Sequence, residues 1–149
     1  MDNNNRADPL GGVTAALYDY AEAVDEARVD DFVALFTDDA VFFDEAVRGH
    51  DDIGRRVTAM LGRFAATSHH MSNIRVLSSN GDEAEATAYV YAWHQLTDGV
   101  VAEIWGRYHS KMRYDDGRWR FAHHTFFAAG SRPDGVLGPI TPIPRALLD

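Results

Sequence analysis

The chain has 149 residues, of which 46 % are hydrophobic and 17 are aromatic (8 Phe, 6 Tyr, 3 Trp), which suits one domain with a sizeable core and not a disordered chain. A formal net charge of −9 argues against a nucleic-acid backbone and against an anionic membrane surface, both of which need clustered Lys and Arg. The absence of cysteine excludes disulfides, thiolate catalysis and Cys-ligated metal, leaving a small, largely apolar or aromatic ligand as the expected partner.

Residues 1–9 read as a flexible leader, rich in Asn and Asp and without a signal-peptide apolar core. No apolar run approaches the roughly 20 residues of a membrane helix, and the expected location is cytoplasmic. From about Leu10 to Arg28 the pattern is helical, with Val13, Leu17, Tyr20 and Val24 in one apolar stripe. Asp30 can cap a second helix over Asp31–Thr37. A short strand follows at Val41–Asp44, extending toward Arg48, and Asp51 and Asp52 open a third helix that runs to about Ala65. After Thr67 the chain reads as strand: Ser72–Ser78, Glu83–Leu96, Val100–Tyr114 and Arg118–Ala129, separated by Gly-containing turns. The small residues Ala84, Ala86, Ala88 and Ala92 share a face with Val90 and His94, which leaves room for a helix or a ligand. Residues 130–149, with Pro133, Pro139, Pro142 and Pro144, form a tail expected to wrap irregularly.

Helices first and a strand meander afterwards predict an α+β fold over residues 10–129: a cone-shaped barrel of curved antiparallel sheet wrapped on three N-terminal helices. The stretches Tyr20-Ala-Glu-Ala-Val-Asp25, Val29 to Ala40, Thr67-Ser-His-His-Met-Ser-Asn73, Gly106-Arg-Tyr108 and Asp116-Gly-Arg-Trp-Arg-Phe121 resemble, in this order, the SnoaL-like branch of the nuclear transport factor 2-like superfamily. That resemblance implies the same cone, an apolar pocket open at one end, and frequent homodimers. Activities on this fold vary, so function has to be argued from the site.

Within the superfamily the chain is most similar to scytalone dehydratase and hexachlorocyclohexane dehydrochlorinase. The resemblance implies a catalytic pair, His69 as general base and Asp25 to orient it. A neutral imidazole can take a proton near pH 7, and a carboxylate fixes its tautomer. On a helical wheel Asp25 lies about 120° from the centre of the apolar stripe, at its flank. Alternation on a strand lets only one of His69 and His70 face inward; the residues do not choose, and the resemblance favours His69.

Tyr20, Asp44 and Ser110 form a second constellation. It resembles the ketosteroid isomerases, in which Tyr20's position polarises a carbonyl and Asp44's shuttles a proton. Ser110 stands where those enzymes carry a protonated Asp. It also matches a site-lining Ser of scytalone dehydratase. His94, on the Ala-rich face, is a candidate lining residue. Pairing Tyr114 with Trp119 turns His123 inward beside Ser110, whereas the resemblance selects His124 and then requires a bulge. His109 is assigned to an outer surface and His50 to an exposed position.

The histidine spacing shows no helical metal motif, and no metal or cofactor is expected. The function expected is a cofactor-independent lyase, such as a dehydratase, or an isomerase. Its substrate would be polyketide-, terpenoid- or aromatic-like, bound by Tyr20, Asp44, His94, Ser110 and His124. The alternatives are a non-catalytic binding or accessory protein and a ketosteroid-isomerase-like enzyme using Tyr20 and Asp44. Tyr89, Tyr91, Trp93 and Trp105 make an aromatic outer face expected to form a homodimer.

Overall fold

The computed structural model describes residues 8–138. Helix α1 spans Pro9–Asp25 and α2 spans Val29–Val33; strands β1 (Phe36–Phe42) and β2 (Asp44–Arg48) precede α3 (Gly49–Leu61). Four long strands follow: β3 (Phe64–Asn80), β4 (Glu83–Leu96), β5 (Val101–Asp115) and β6 (Arg118–Arg132). They form one six-stranded sheet in the order β2-β1-β6-β5-β4-β3. The fold is the expected α+β cone, with the helices packed on the inner face of the sheet. All pairings are antiparallel except β1 with β6, which is parallel, because β1 enters the sheet from the helical half of the chain.

Helix α1 begins where its chemistry allows. Pro9 occupies the first turn, and the Asp8 carboxylate accepts the Gly11 amide at 2.9 Å. Val13, Leu17, Tyr20 and Val24 are all buried. The helix stops at Asp25, three residues before the expected Arg28. Ala27 adopts φ 53°, the Arg28 amide reaches the Ala23 carbonyl at 2.8 Å, and the Ala27 amide reaches Val24 at 3.1 Å. This is a Schellman stop with alanine in the left-handed position that glycine usually fills. It leaves Asp25 in the last turn, against β3.

The second helix differs from the expected Asp31–Thr37. It is a single short turn over Val29–Val33, because Phe36 and Thr37 are drawn into β1, where Phe36 pairs with Phe121. The third helix is shorter than expected, since Gly62 ends it and Phe64 already belongs to β3. β3 therefore starts eight residues before Ser72. β6 continues past Ala129 to Arg132, which pairs with Glu103, so the tail's first residues are strand. The leader's residues 1–7 and the tail's residues 139–149 lie outside the described residues.

Two bulges decide which side chains face inward. Register shifts between Ser72 and Arg75 on β3, where Asn73 has φ 51°. Before it His69 and Met71 point in; after it Ile74 and Val76 do. On β6, Met112 pairs with Phe121 but Lys111 pairs with His123, so Ala122 is the extra residue. Trp119 and Phe121 face inward before the bulge and His124 after it.

Candidate functional site

The curved sheet, α1 and α3 enclose a cavity of about 560 Å³, within the range of small-molecule sites. Most of its wall is apolar or aromatic, including Phe42, Val57, Phe64, Val90, Ile104 and Phe126. Six polar side chains reach it: Tyr20, Arg63, Thr67, His69, His94 and Tyr108.

The Asp25 carboxylate sits at the junction of α1 and β3 and accepts three hydrogen bonds. The His69 ring Nδ1 donates at 2.7 Å, the His69 backbone amide at 2.9 Å and the Thr67 hydroxyl at 2.9 Å. Burial opposes the charge of Asp25. The His69 ring and amide, the charge of His69 and the Thr67 hydroxyl outweigh it, holding the carboxyl below its usual range. Because the carboxylate can only accept, Nδ1 carries the proton, and the lone pair of His69 is left on Nε2. The His69 side chain is 10 % exposed and lines the cavity.

His70, next along β3, points outward and is exposed, its Nε2 2.9 Å from the Ser68 hydroxyl. The alternation that sequence alone left open is thus resolved by the Asp25 contact.

His94 projects from β4 with its ring centroid 5.5 Å from that of His69 and 4.7 Å from Phe64. Burial and the neighbouring His69 charge push it down to about 4, so it is neutral at ordinary pH. Its buried Nδ1 has no hydrogen-bond partner among the described residues. Tyr20 and Tyr108 are almost fully buried, 5.4 Å apart by ring centroids, and also line the cavity.

Three of the residues expected to bind substrate are placed elsewhere. Asp44 lies on β2 with a half-exposed side chain. Its carboxylate accepts the Ala46 amide at 2.9 Å and faces Arg56 at 3.7 Å, so it is not among the cavity residues. The short β1–β2 hairpin carries it past the cavity wall. Ser110 and His124 are buried, and their hydroxyl and Nδ1 are 2.8 Å apart across β5 and β6. They stand behind the wall: the His124 ring packs on Tyr108 at 4.4 Å and on Tyr20 at 5.0 Å. Burial drives His124 down to about 3, so it is an uncharged backing group.

His123 projects from the opposite face toward Glu45, at 3.3 Å. On the outer face His109 meets Glu85 at 2.6 Å. His50 falls inside α3 and is only half-exposed, with Nε2 2.9 Å from the Phe36 carbonyl. Among the described residues no three His, Asp or Glu side chains group as a metal site. No helix there is long and apolar enough to cross a membrane.

Thr67, Tyr108 and Arg63 were not singled out from sequence. Alternation could have found the first two. Thr67 is two residues before His69 on the same strand face, and Tyr108 is two before Ser110. Arg63 follows the end of α3, a position no periodicity marks.

Residues 10–125 match the profile of the SnoaL-like domain family. The small oxygenase component of a p-cumate 2,3-dioxygenase system from Pseudomonas putida is 27 % identical over 153 aligned positions, covering 83 % of this chain and 82 % of that protein. A Novosphingobium aromaticivorans protein provisionally named as a scytalone dehydratase has a TM-score of 0.85 at 24 % identity, covering 98 % of this chain and 100 % of the other. A hexachlorocyclohexane dehydrochlorinase from Novosphingobium barchaimii has a TM-score of 0.76 at 18 % identity, covering 95 % and 100 %. At these identities the structural likeness is one of fold.

Proposed function

The chain belongs to the SnoaL-like domain family, and from that premise we propose that it is a cofactor-independent lyase, such as a dehydratase, or an isomerase, acting on a small, largely apolar cyclic substrate. The observation that carries this reading is the 2.7 Å contact between Asp25 and His69 Nδ1 at the wall of an apolar cavity. In the proposed reaction His69 Nε2 takes a proton from a carbon of the substrate. Asp25 holds the ring in the tautomer that leaves Nε2 free and stabilises the imidazolium that forms. The C–H electron pair becomes a new π bond. In an elimination the leaving group departs with its own bonding pair and takes the proton from His69; in an isomerisation that proton returns at another carbon. The low-polarity wall strengthens the Asp25–His69 interaction and excludes water.

The test is turnover against a panel of small cyclic hydroxyketones and enones, followed by absorbance. Wild type should convert at least one of them. His69→Ala and Asp25→Asn should each lose about 100-fold or more of the rate, with thermal melts that still show a folded protein. Near wild-type turnover in either variant contradicts the reading.

A second reading, an accessory subunit without its own chemistry, is favoured by the similarity to a small oxygenase component. The outer sheet face supports it. Tyr89 and Trp105 are exposed there, covered by the guanidinium groups of Arg107 and Arg132, and homodimerisation through this face is part of the same proposal. Stable co-purification with an oxygenase subunit, with no turnover across the panel, would decide for it.

A further inference from the structure

The cavity is charged differently at its two ends. At one end the Asp25 carboxylate stands behind His69, 2.7 Å from its Nδ1, and repels a second anion there. At the other end is Arg63, two residues past α3 and one before β3. Its backbone is held, the Arg63 carbonyl accepting the Thr97 amide at 3.2 Å. Its side chain reaches the cavity from an exposed position. Among the described residues no Asp or Glu lines the cavity, and Arg63 is the only Lys or Arg that does.

The guanidinium has donors to spare. Its Nη2 donates to the Val136 carbonyl at 3.1 Å. Among the described residues it meets no carboxylate, whereas Arg28, Arg48, Arg113 and Arg132 each meet an Asp or a Glu. A planar guanidinium binds a carboxylate through two parallel N–H bonds, a fit that an ammonium does not match.

We propose that Arg63 is a specificity-determining residue: it binds the carboxylate of an acid-bearing substrate at the cavity mouth and turns the apolar end of that molecule toward His69. This deepens the reading of His69 as the base and rests on it for the carbon that reacts.

A row of rings joins the two ends. The Arg63 Cζ lies 5.7 Å from the centroid of the Phe64 ring, Phe64 lies 4.7 Å from His94, and His94 lies 5.5 Å from His69. A flat apolar body can lie along this row. His94, in its middle, is uncharged at ordinary pH and offers an anion no competing cation. The reverse orientation would set the substrate carboxylate against the charge of Asp25. The substrate class is therefore an aromatic or alicyclic carboxylic acid whose carboxylate is remote from the carbon that loses its proton. The carboxylate stays ionised throughout and only anchors the molecule. A neutral hydrocarbon or halogenated ring makes no use of Arg63.

Binding of 2-naphthoate and of its neutral isostere 2-naphthamide, measured by fluorescence above neutral pH, tests the residue without needing turnover. Wild type should prefer naphthoate, and added salt should narrow the preference. Arg63→Gln should weaken naphthoate about tenfold and leave naphthamide within about twofold, which also shows that the cavity is intact. Arg63→Lys should restore part of the naphthoate affinity. Equal naphthoate affinity in wild type and Arg63→Gln would overturn the proposal. So would a parallel loss of both ligands, which would mean that Arg63 only holds the Val136 segment. His69→Ala should keep the preference for naphthoate; a preference lost there and kept in Arg63→Gln would move the anion to the imidazole and overturn the proposal. Turnover unaffected by His69→Ala, with the Arg63-dependent preference intact, would remove the base and leave the anchor standing.

Discussion

Asp25 and His69 are 44 residues apart in the chain and joined twice: one carboxylate oxygen meets the His69 ring at 2.7 Å and the other accepts the His69 backbone amide at 2.9 Å. The amide contact fixes where β3 passes the end of α1. The ring contact fixes which nitrogen of His69 is free. A single side chain thus ties the fold to the chemistry, and the hydroxyl of Thr67 adds a third bond to it.

Thr67→Val removes that third bond and keeps the shape. It should raise the titration of the Asp25 carboxyl, followed by carbon NMR, and cost about 1 kcal/mol of stability in urea. An unchanged Asp25 titration would show that the Thr67 hydroxyl does not hold the carboxylate.

Acid stability should follow the buried imidazoles first. Unfolded His94 takes up a proton below about 6.5, whereas folded His94 stays neutral until about 4. Between these values the unfolded state binds more protons, so stability falls as the pH falls, by about 3 kcal/mol for this group alone. Asp25 acts lower down: its folded carboxyl titrates below 3.8, so its contribution is present above that value and is lost as pH drops through the folded one. Urea midpoints measured from pH 7 to 4 should decline in wild type and decline less in His94→Leu. Parallel curves would contradict this assignment.

Ala27→Gly relieves a left-handed alanine at the helix stop that presents Asp25. The expected gain is about 0.5–1 kcal/mol, read as a higher urea midpoint with the Asp25–His69 contact retained. A loss of stability would mean that the Ala27 methyl packs favourably enough to offset its backbone.

The outline of the fold was legible because its patterns are local. The Val13-Leu17-Tyr20-Val24 stripe and the alternation of Glu83–Leu96 need no tertiary information, and β4 runs over the residues the sequence predicts. What was not legible came from pairing. Phe36 and Thr37 carry helical signals but join β1 because Phe121 pairs with Phe36. The extra residue Ala122 selects His124 over His123, and nothing in its side chain announces a bulge. Asp25 looked like a flank position on the wheel; it is one, and the flank is where β3 passes. Asp44 matched the proton-shuttling Asp of the ketosteroid isomerases by resemblance, but a five-residue strand carries it into solvent. Tyr108 lay in a recognised stretch, yet its packing against Tyr20 across the core is invisible to spacing.

The central claim is that Asp25 fixes His69 with its proton on Nδ1 and a bare Nε2 at the cavity. Nitrogen-15 NMR of histidine-labelled protein above neutral pH reads this directly. The account predicts a His69 signal with Nδ1 protonated, its proton shifted downfield, and Nε2 unprotonated, a pattern lost in Asp25→Asn. A His69 protonated on Nε2, or a spectrum indifferent to Asp25→Asn, would contradict it.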